Sequence, residues 1–222
     1  MPYVMTVDQI SSRQRRDAVP AAITAMATRF PHAKTTRTVG DEFQALFVAD
    51  PMSVVDAILM LMREGSWHVG IGIGPVEEPV PDDLRAARGP AFLAARQAVE
   101  EAKERSNHLQ LVATPPAAEE GVDAEVLLEL LLTLRARRSD AGWAAAELAD
   151  AGLTQAAIGT ELGISRQAVN QRLQAAQWAL DARSRPVAAR LLARTEQITT
   201  GGIAPGRVRP LPCGPSGWRC PC

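Results

Sequence analysis

Thr154–Ala176 reads TQAAIGTELGISRQAVNQRLQAA, and its apolar spacing divides it into two short helices around one glycine. Ile158 and Leu162 are four apart and share a helix face. Gly163 falls where a turn between helices needs positive φ. Ile164 follows as an apolar plug, and Ser165 is a good N-cap for the second helix. Val169, Leu173 and Ala176 recur at i, i+4 and i+7 and form that helix's inner face. Gly159 is small where the two helices must cross closely. Outside, Arg166, Gln167, Asn170, Gln171 and Gln174 form one polar face behind the Ser165 cap. A plain helical hairpin explains the polar face. It does not require a glycine, an apolar plug and a cap in succession.

This layout resembles the helix-turn-helix of many bacterial regulators and of the sigma-factor DNA-binding region. The anchors of that motif stand here as Gln155, Gly159, Gly163 and Val169. The family usually carries alanine where this chain has Gly159, and glycine there costs about 1 kcal/mol in helix propensity. The resemblance implies that the second helix enters the major groove. There Arg pairs with guanine, and Gln or Asn with adenine. Double-stranded DNA is the expected partner, with Ser165, Arg166, Gln167, Asn170, Gln171 and Gln174 as the expected contacts.

Composition bounds how such binding would work. The chain has 222 residues, 46% of them apolar and 4% aromatic, with a net charge of −1 and a pI near 6.3. A polyanion must therefore be held by a local patch rather than by the field of the whole molecule. The arginines between Arg166 and Arg194 supply one. No apolar run reaches membrane length, so no membrane partner is expected. The opening MPYVMTVDQISSRQRR turns polar too soon for a secretory signal. Cys213, Cys220 and Cys222 all lie in the last stretch, so no disulfide framework is expected. The expected location is cytoplasmic.

Earlier in the chain the pattern changes. Tyr3–Val7 is a β-like run, and Val19–Phe30 a helix stopped by Pro31. Thr35–Val39 and Glu42–Val48 make a hairpin around Gly40-Asp41. A helix then runs from Asp50-Pro51 through Met62, followed by a strand from Trp67 to Val76. The order β-α-β-β-α-β predicts a ferredoxin-like unit. A Pro-rich acidic loop (76–88), a helix over Gly89–Arg105 and a strand over His108–Thr114 follow.

PPAAEEG (115–121) reads as a linker. Asp123 is expected to cap a Leu-rich helix, a further helix covers 142–149, and Pro186 is expected to start a last one. Leucines wrap almost the whole circumference of the Leu-rich helix, which predicts a partner helix. That partner would come from a second copy, giving a homodimer, or from the amino-terminal half. The Gly-, Pro- and Arg-rich end has no periodicity and reads as disordered.

In a βαββαβ unit, strands one and three are neighbours. The end of the first then meets the start of the third, bringing Asp8, Asp41 and Glu42 to one sheet edge. Clustered carboxylates repel unless neutralised, and Mg²⁺ or Mn²⁺ with oxygen ligands is the expected cofactor. Ser11, Ser12 and Arg13 are the candidates to face a phosphate beside it.

The motifs DQISSR (8–13), GDEFQ (40–44), the glycine-spaced GIGIG (70–74) and GPAFLAAR (89–96) are similar to the SatD family of bacterial proteins, over roughly Pro2–Thr114. That resemblance implies an amino-terminal half like the catalytic domains of nucleotide cyclases and GGDEF-type diguanylate cyclases. It implies a carboxy-terminal helix-turn-helix as well. The chain departs from active cyclases. Val39-Gly40 precedes the acidic pair where a diguanylate cyclase has two glycines, and no purine-selecting lysine–acid pair or transition-state Asn/Arg pair is evident.

The three histidines are too far apart in sequence for a metal motif. Gly70, Gly72 and Gly74 share one strand face. They either admit a nucleotide or make room for the helix over Gly89–Arg105, and packing is the favoured use.

The expectation is thus an α+β chain in two parts. Residues 1–114 form a ferredoxin-like, cyclase-type domain, and 115–121 a linker. Residues 122–197 form a separate all-α domain with the helix-turn-helix at 154–176, and 198–222 are a disordered tail. A transcriptional regulator with nucleotide or divalent metal as candidate ligands is favoured. The alternative is a metal-dependent nucleotide-converting enzyme in which the helix-turn-helix is an interaction module.

Overall fold

The computed structural model describes residues 2–201. Met1 and residues 202–222, which hold all three cysteines, lie outside them. Five strands form one sheet: β1 (Pro2–Gln9), β2 (Lys34–Arg37), β3 (Glu42–Val48), β4 (Trp67–Ile73) and β5 (Leu109–Ala113). Their order is β2-β3-β1-β4-β5. β1 is antiparallel to β3 and to β4, while β5 joins β4 in parallel. Eight helices complete the described chain. They are α1 (Val19–Arg29), α2 (Pro51–Glu64), α3 (Pro90–Lys103), α4 (Ala118–Ala136), α5 (Asp140–Asp150), α6 (Gln155–Leu162), α7 (Arg166–Ala175) and α8 (Trp178–Thr199).

Period-two alternation along β1 sorts the two faces of the sheet. Tyr3, Met5 and Val7 join Met26, Val54 and Ile58 in the main core. Val4 points the other way and packs with Leu46, Leu84 and Phe92. On that second face α3 lies almost on the backbone of β4. A Cβ on Gly70 would sit 2.2 Å from the Val99 amide nitrogen, and one on Gly72 would sit 2.1 Å from the Ala91 carbonyl oxygen. The glycine-spaced strand is therefore a bed for a helix, and α3 fills the space a nucleotide would need.

Local chemistry sets the boundaries. The Asp50 side chain accepts the Ser53 amide and Pro51 takes the first helical position of α2, which ends at Gly65 with φ 65°. These are ordinary start and stop devices. The acidic loop after β4 contains a short 3-10 turn, Leu84–Ala86, whose Leu84 is buried against the sheet.

The expected division into a small ferredoxin-like domain and a separate all-α domain is not what the chain adopts. The sheet is mixed, and β5 extends it beyond the βαββαβ unit. The carboxy-terminal helices complete its core: Ala124, Leu128 and Leu131 of α4 and Ala188, Leu192 and Ile198 of α8 are buried in the same cluster as Tyr3 and Ile58. The buried Tyr3 hydroxyl donates to Glu196 Oε2 at 2.6 Å, joining the first strand to the last helix. Burial, and then that carboxylate, push the phenol well above its ordinary range.

The segment 115–121 illustrates why the linker reading failed. α4 begins at Ala118, before Asp123, with Glu119 and Glu120 in its first turn where the helix dipole favours them. Gly121 is buried, and a Cβ there would lie 2.9 Å from the Ala113 side chain. This glycine lets a helix approach β5. The apolar spread on α4 is largely met by α8 and the sheet of the same chain, leaving Val122, Val126 and Leu130 exposed.

The segment from Trp178 is likewise one helix, with Pro186 inside it rather than starting a new one. Asp181 on one side of the proline and Ala188, Ala189 and Leu192 on the other are all buried. Tertiary packing holds both halves in line despite the missing amide. α8 also runs through Ile198 and Thr199, so the first residues assigned to the tail are helical.

Candidate functional site

α6 and α7 are joined by a three-residue turn. Thr154 caps α6 by accepting the Ala157 amide, and Ser165 caps α7 by accepting the Ala168 amide. Gly163 takes φ 64°, and the Ile164 amide donates to the Gly159 carbonyl at 2.9 Å. The inner residues Ile158, Val169 and Leu173 are buried with Ala145 and Ala149 of α5. Gly159 is explained by this turn: a Cβ there would stand 2.8 Å from the Ile164 carbonyl oxygen. Backbone crowding, which helix propensity does not register, removes alanine from that position.

Ser165, Arg166, Gln167, Gln171 and Gln174 are exposed along the outer face of α7. Asn170 is half-buried, and its side-chain carbonyl accepts from Gln155 Nε2 at 3.5 Å. Gln155 is thus placed to set the orientation of the Asn170 amide. α7 contains no carboxylate, so its outer face is cationic and amide-rich.

A buried ion cluster fastens the α5–α7 unit to the rest. Asp181 on α8 is fully buried and meets three guanidiniums: Arg135 Nη1 at 3.0 Å, Arg138 Nη2 at 3.0 Å, and Arg185. Burial alone would raise the Asp181 carboxyl, but the guanidiniums outweigh it and hold the group below the usual carboxylate range. Arg138, whose side chain is 1% exposed, also donates through Nε to the Ala176 carbonyl at 2.8 Å. It thereby caps the C-terminal end of α7. Trp143 on α5 lies under the Arg63 guanidinium, 3.6 Å from carbon to ring centroid. Arg63 pairs with Glu147 of α5 at 2.9 Å. Sequence pattern gave no hint of this cluster, because its members come from α4, the turn after it and α8, which are far apart in the chain.

The acidic hairpin is arranged differently. β1 and β3 are antiparallel neighbours, and Asp8 stands opposite Glu42. Yet Asp8 is paired with the Lys103 ammonium at 2.8 Å, and Glu42 accepts the Thr38 hydroxyl at 2.6 Å. Burial lowers the Lys103 pKa, but its bonds to Asp8 and Glu100 prevail and raise it. Asp41 sits in the turn, its carbonyl accepting the Gln9 amide at 3.2 Å. Among the described residues no group of three His, Cys, Asp or Glu side chains is placed to hold a metal ion. Ser11 is an exposed residue with φ 56°, and Ser12 and Arg13 lie in the 3-10 turn that follows it.

The histidines hold a surprise of topology. His68 and His108 are far apart in sequence, but β4 and β5 bring their rings to 4.8 Å, edge to face. Neither Nδ1 has a partner among the described residues. Burial, and then the neighbouring His108, lower the His68 pKa.

A sheet crossed by helices on both faces, with a capped pair of short helices held on by a buried charge cluster, defines an α+β protein with no helix long and apolar enough to cross a membrane among the described residues. The chain belongs to the SatD family, whose model matches residues 6–192. That match runs through α4–α7 and most of α8, well past the amino-terminal motifs that carry the resemblance in sequence. No curated protein and no solved structure matches.

Proposed function

We propose that this protein binds double-stranded DNA through α7 and acts as a transcriptional regulator. The observation carrying this reading is the outer face of α7. It is exposed, free of carboxylates and rich in groups that pair with base edges, while its inner face is anchored by Val169 and Leu173. A recognition helix needs that combination, because base readout requires side chains held in register. Arg166 and Gln167 stand at the N-terminal turn, which enters the groove first in this docking mode. Arg183, Arg190 and Arg194 are exposed along α8 and are suited to phosphate contacts, which position without specifying.

The test is retention of sheared genomic DNA on the immobilised full chain, followed by sequencing. Enrichment of fragments sharing a short sequence is the expected result. Retention of all fragments alike, or of none, contradicts the reading.

A further inference from the structure

We propose that a cleft on the α3 face of the sheet binds a mononucleotide-like ligand, meaning a phosphate attached to a planar heterocyclic body. The cleft lies between the β2–β3 hairpin, the Leu84–Ala86 turn and the first turns of α3. Its volume is about 590 Å³, within the range of small-molecule sites. Three features of the cleft point to that class.

The cleft has spare cations. Arg88 and Arg96 line it, and neither guanidinium has a carboxylate partner among the described residues. Arg85 also lines it but is held by Asp83 at 2.6 Å. Glu77 is the acid in the lining, so the two unpaired arginines leave the cleft cationic. Planar guanidiniums match phosphate through paired N–H donors.

The cleft also has an apolar body. Leu84 and Phe92 form its wall, and Val39 and Leu93 flank it at 83% and 73% exposure. Large apolar side chains left open beside a concavity are the usual mark of a surface that a ligand covers.

Then there is the last residue of the GDEFQ motif. Gln44 is 6% exposed and lines the cleft. Its Nε2 donates to Thr6 Oγ1 at 3.4 Å, and its Oε1 has no partner among the described residues. Oε1 is not sealed from solvent, so it stands at the cleft as a free acceptor. An exocyclic amine or ring N–H of a heterocycle would satisfy it.

The cleft touches the β2–β3 hairpin through Thr38, Val39 and Gln44 but not through its acidic residues, and it lies apart from α7. Ser11, Ser12, Asp8 and Asp41 do not line the cleft, and the proposal does not depend on DNA binding.

Calorimetric titration of the full chain with AMP, GMP, CMP and UMP tests it, with each nucleoside and inorganic phosphate as comparison ligands. At least one mononucleotide should bind with a Kd below about 1 mM. Its nucleoside and inorganic phosphate should each bind at least tenfold more weakly. Arg96→Ala and Arg88→Ala, both at exposed positions, should keep the native melting temperature and weaken binding at least tenfold. Gln167→Ala on α7 should bind the nucleotide like the native protein. Absence of mononucleotide binding overturns the proposal, as does binding unchanged in both arginine variants. Inorganic phosphate binding as tightly as every nucleotide reduces the cleft to a simple anion site and overturns the heterocycle.

Discussion

The α6–α7 pair and the acidic hairpin both announce themselves as short motifs, and the structure treats them in opposite ways. In α6–α7 the side chains that define the motif meet one another: Ser165 caps its own helix, Gly163 makes its own turn, and Gly159 makes way for Ile164. In the hairpin the decisive contact comes from elsewhere, because Lys103 at the end of α3 pairs with Asp8. A motif closed by its own residues can be read from spacing. A cluster of charges cannot, since any cation the fold delivers changes its chemistry.

The largest expected effect attacks what holds the first region in place. Asp181→Ala leaves three guanidiniums around a buried vacancy and should destabilise the protein by about 3–5 kcal/mol, read by urea unfolding. A loss below 1 kcal/mol would mean that the cluster does not anchor the α5–α7 unit. Gly159→Ala is the sharper probe of the motif itself. Helix propensity alone predicts a gain of about 1 kcal/mol, whereas the 2.8 Å approach to the Ile164 carbonyl predicts a loss of about 1–3 kcal/mol from crowding. The sign of the change decides between them.

Smaller effects test the hairpin. Lys103→Met should cost at most about 1 kcal/mol, because the pair with Asp8 is partly solvated. It should also make the melting temperature respond to Mn²⁺ more than the native protein does, because Asp8 loses its cation. If the native protein already gains stability with Mn²⁺, and Asp41→Asn removes that gain, the hairpin is a metal site and the contrast drawn above fails. The smallest effect concerns pH. His68 titrates below its ordinary value of 6.5, so the folded state takes up its proton less readily than the unfolded chain. Stability present above about pH 6.5 should decline as the pH falls below it. His68→Gln should flatten that decline in melting temperature.

Much of the element order was readable because caps and breakers are local. Asp50-Pro51, Gly65, Gly163 and Ser165 stop and start helices at or near the places their chemistry dictates. The assembly of those elements was not readable to the same degree. PPAAEEG has linker composition, but Gly121 is packed on Ala113 and the glutamates begin α4. The circumferential leucines of α4 did signal a partner, and periodicity could not say that α8 and the sheet would supply it. Of the candidate site, the polar face of α7 was legible from its spacing. The Gln155–Asn170 contact, the Asp181 cluster and the His68–His108 pair were not, since each depends on tertiary placement.

If α7 reads base sequence, the decisive experiment is selection from a randomised duplex library, run in parallel on the native chain and on Gln167→Ala and Asn170→Ala. The native chain should recover a defined site. Each variant should lose preference at one or two positions within it and about 1–3 kcal/mol in affinity. Recovery of the same site with unchanged affinity by both variants would contradict the account.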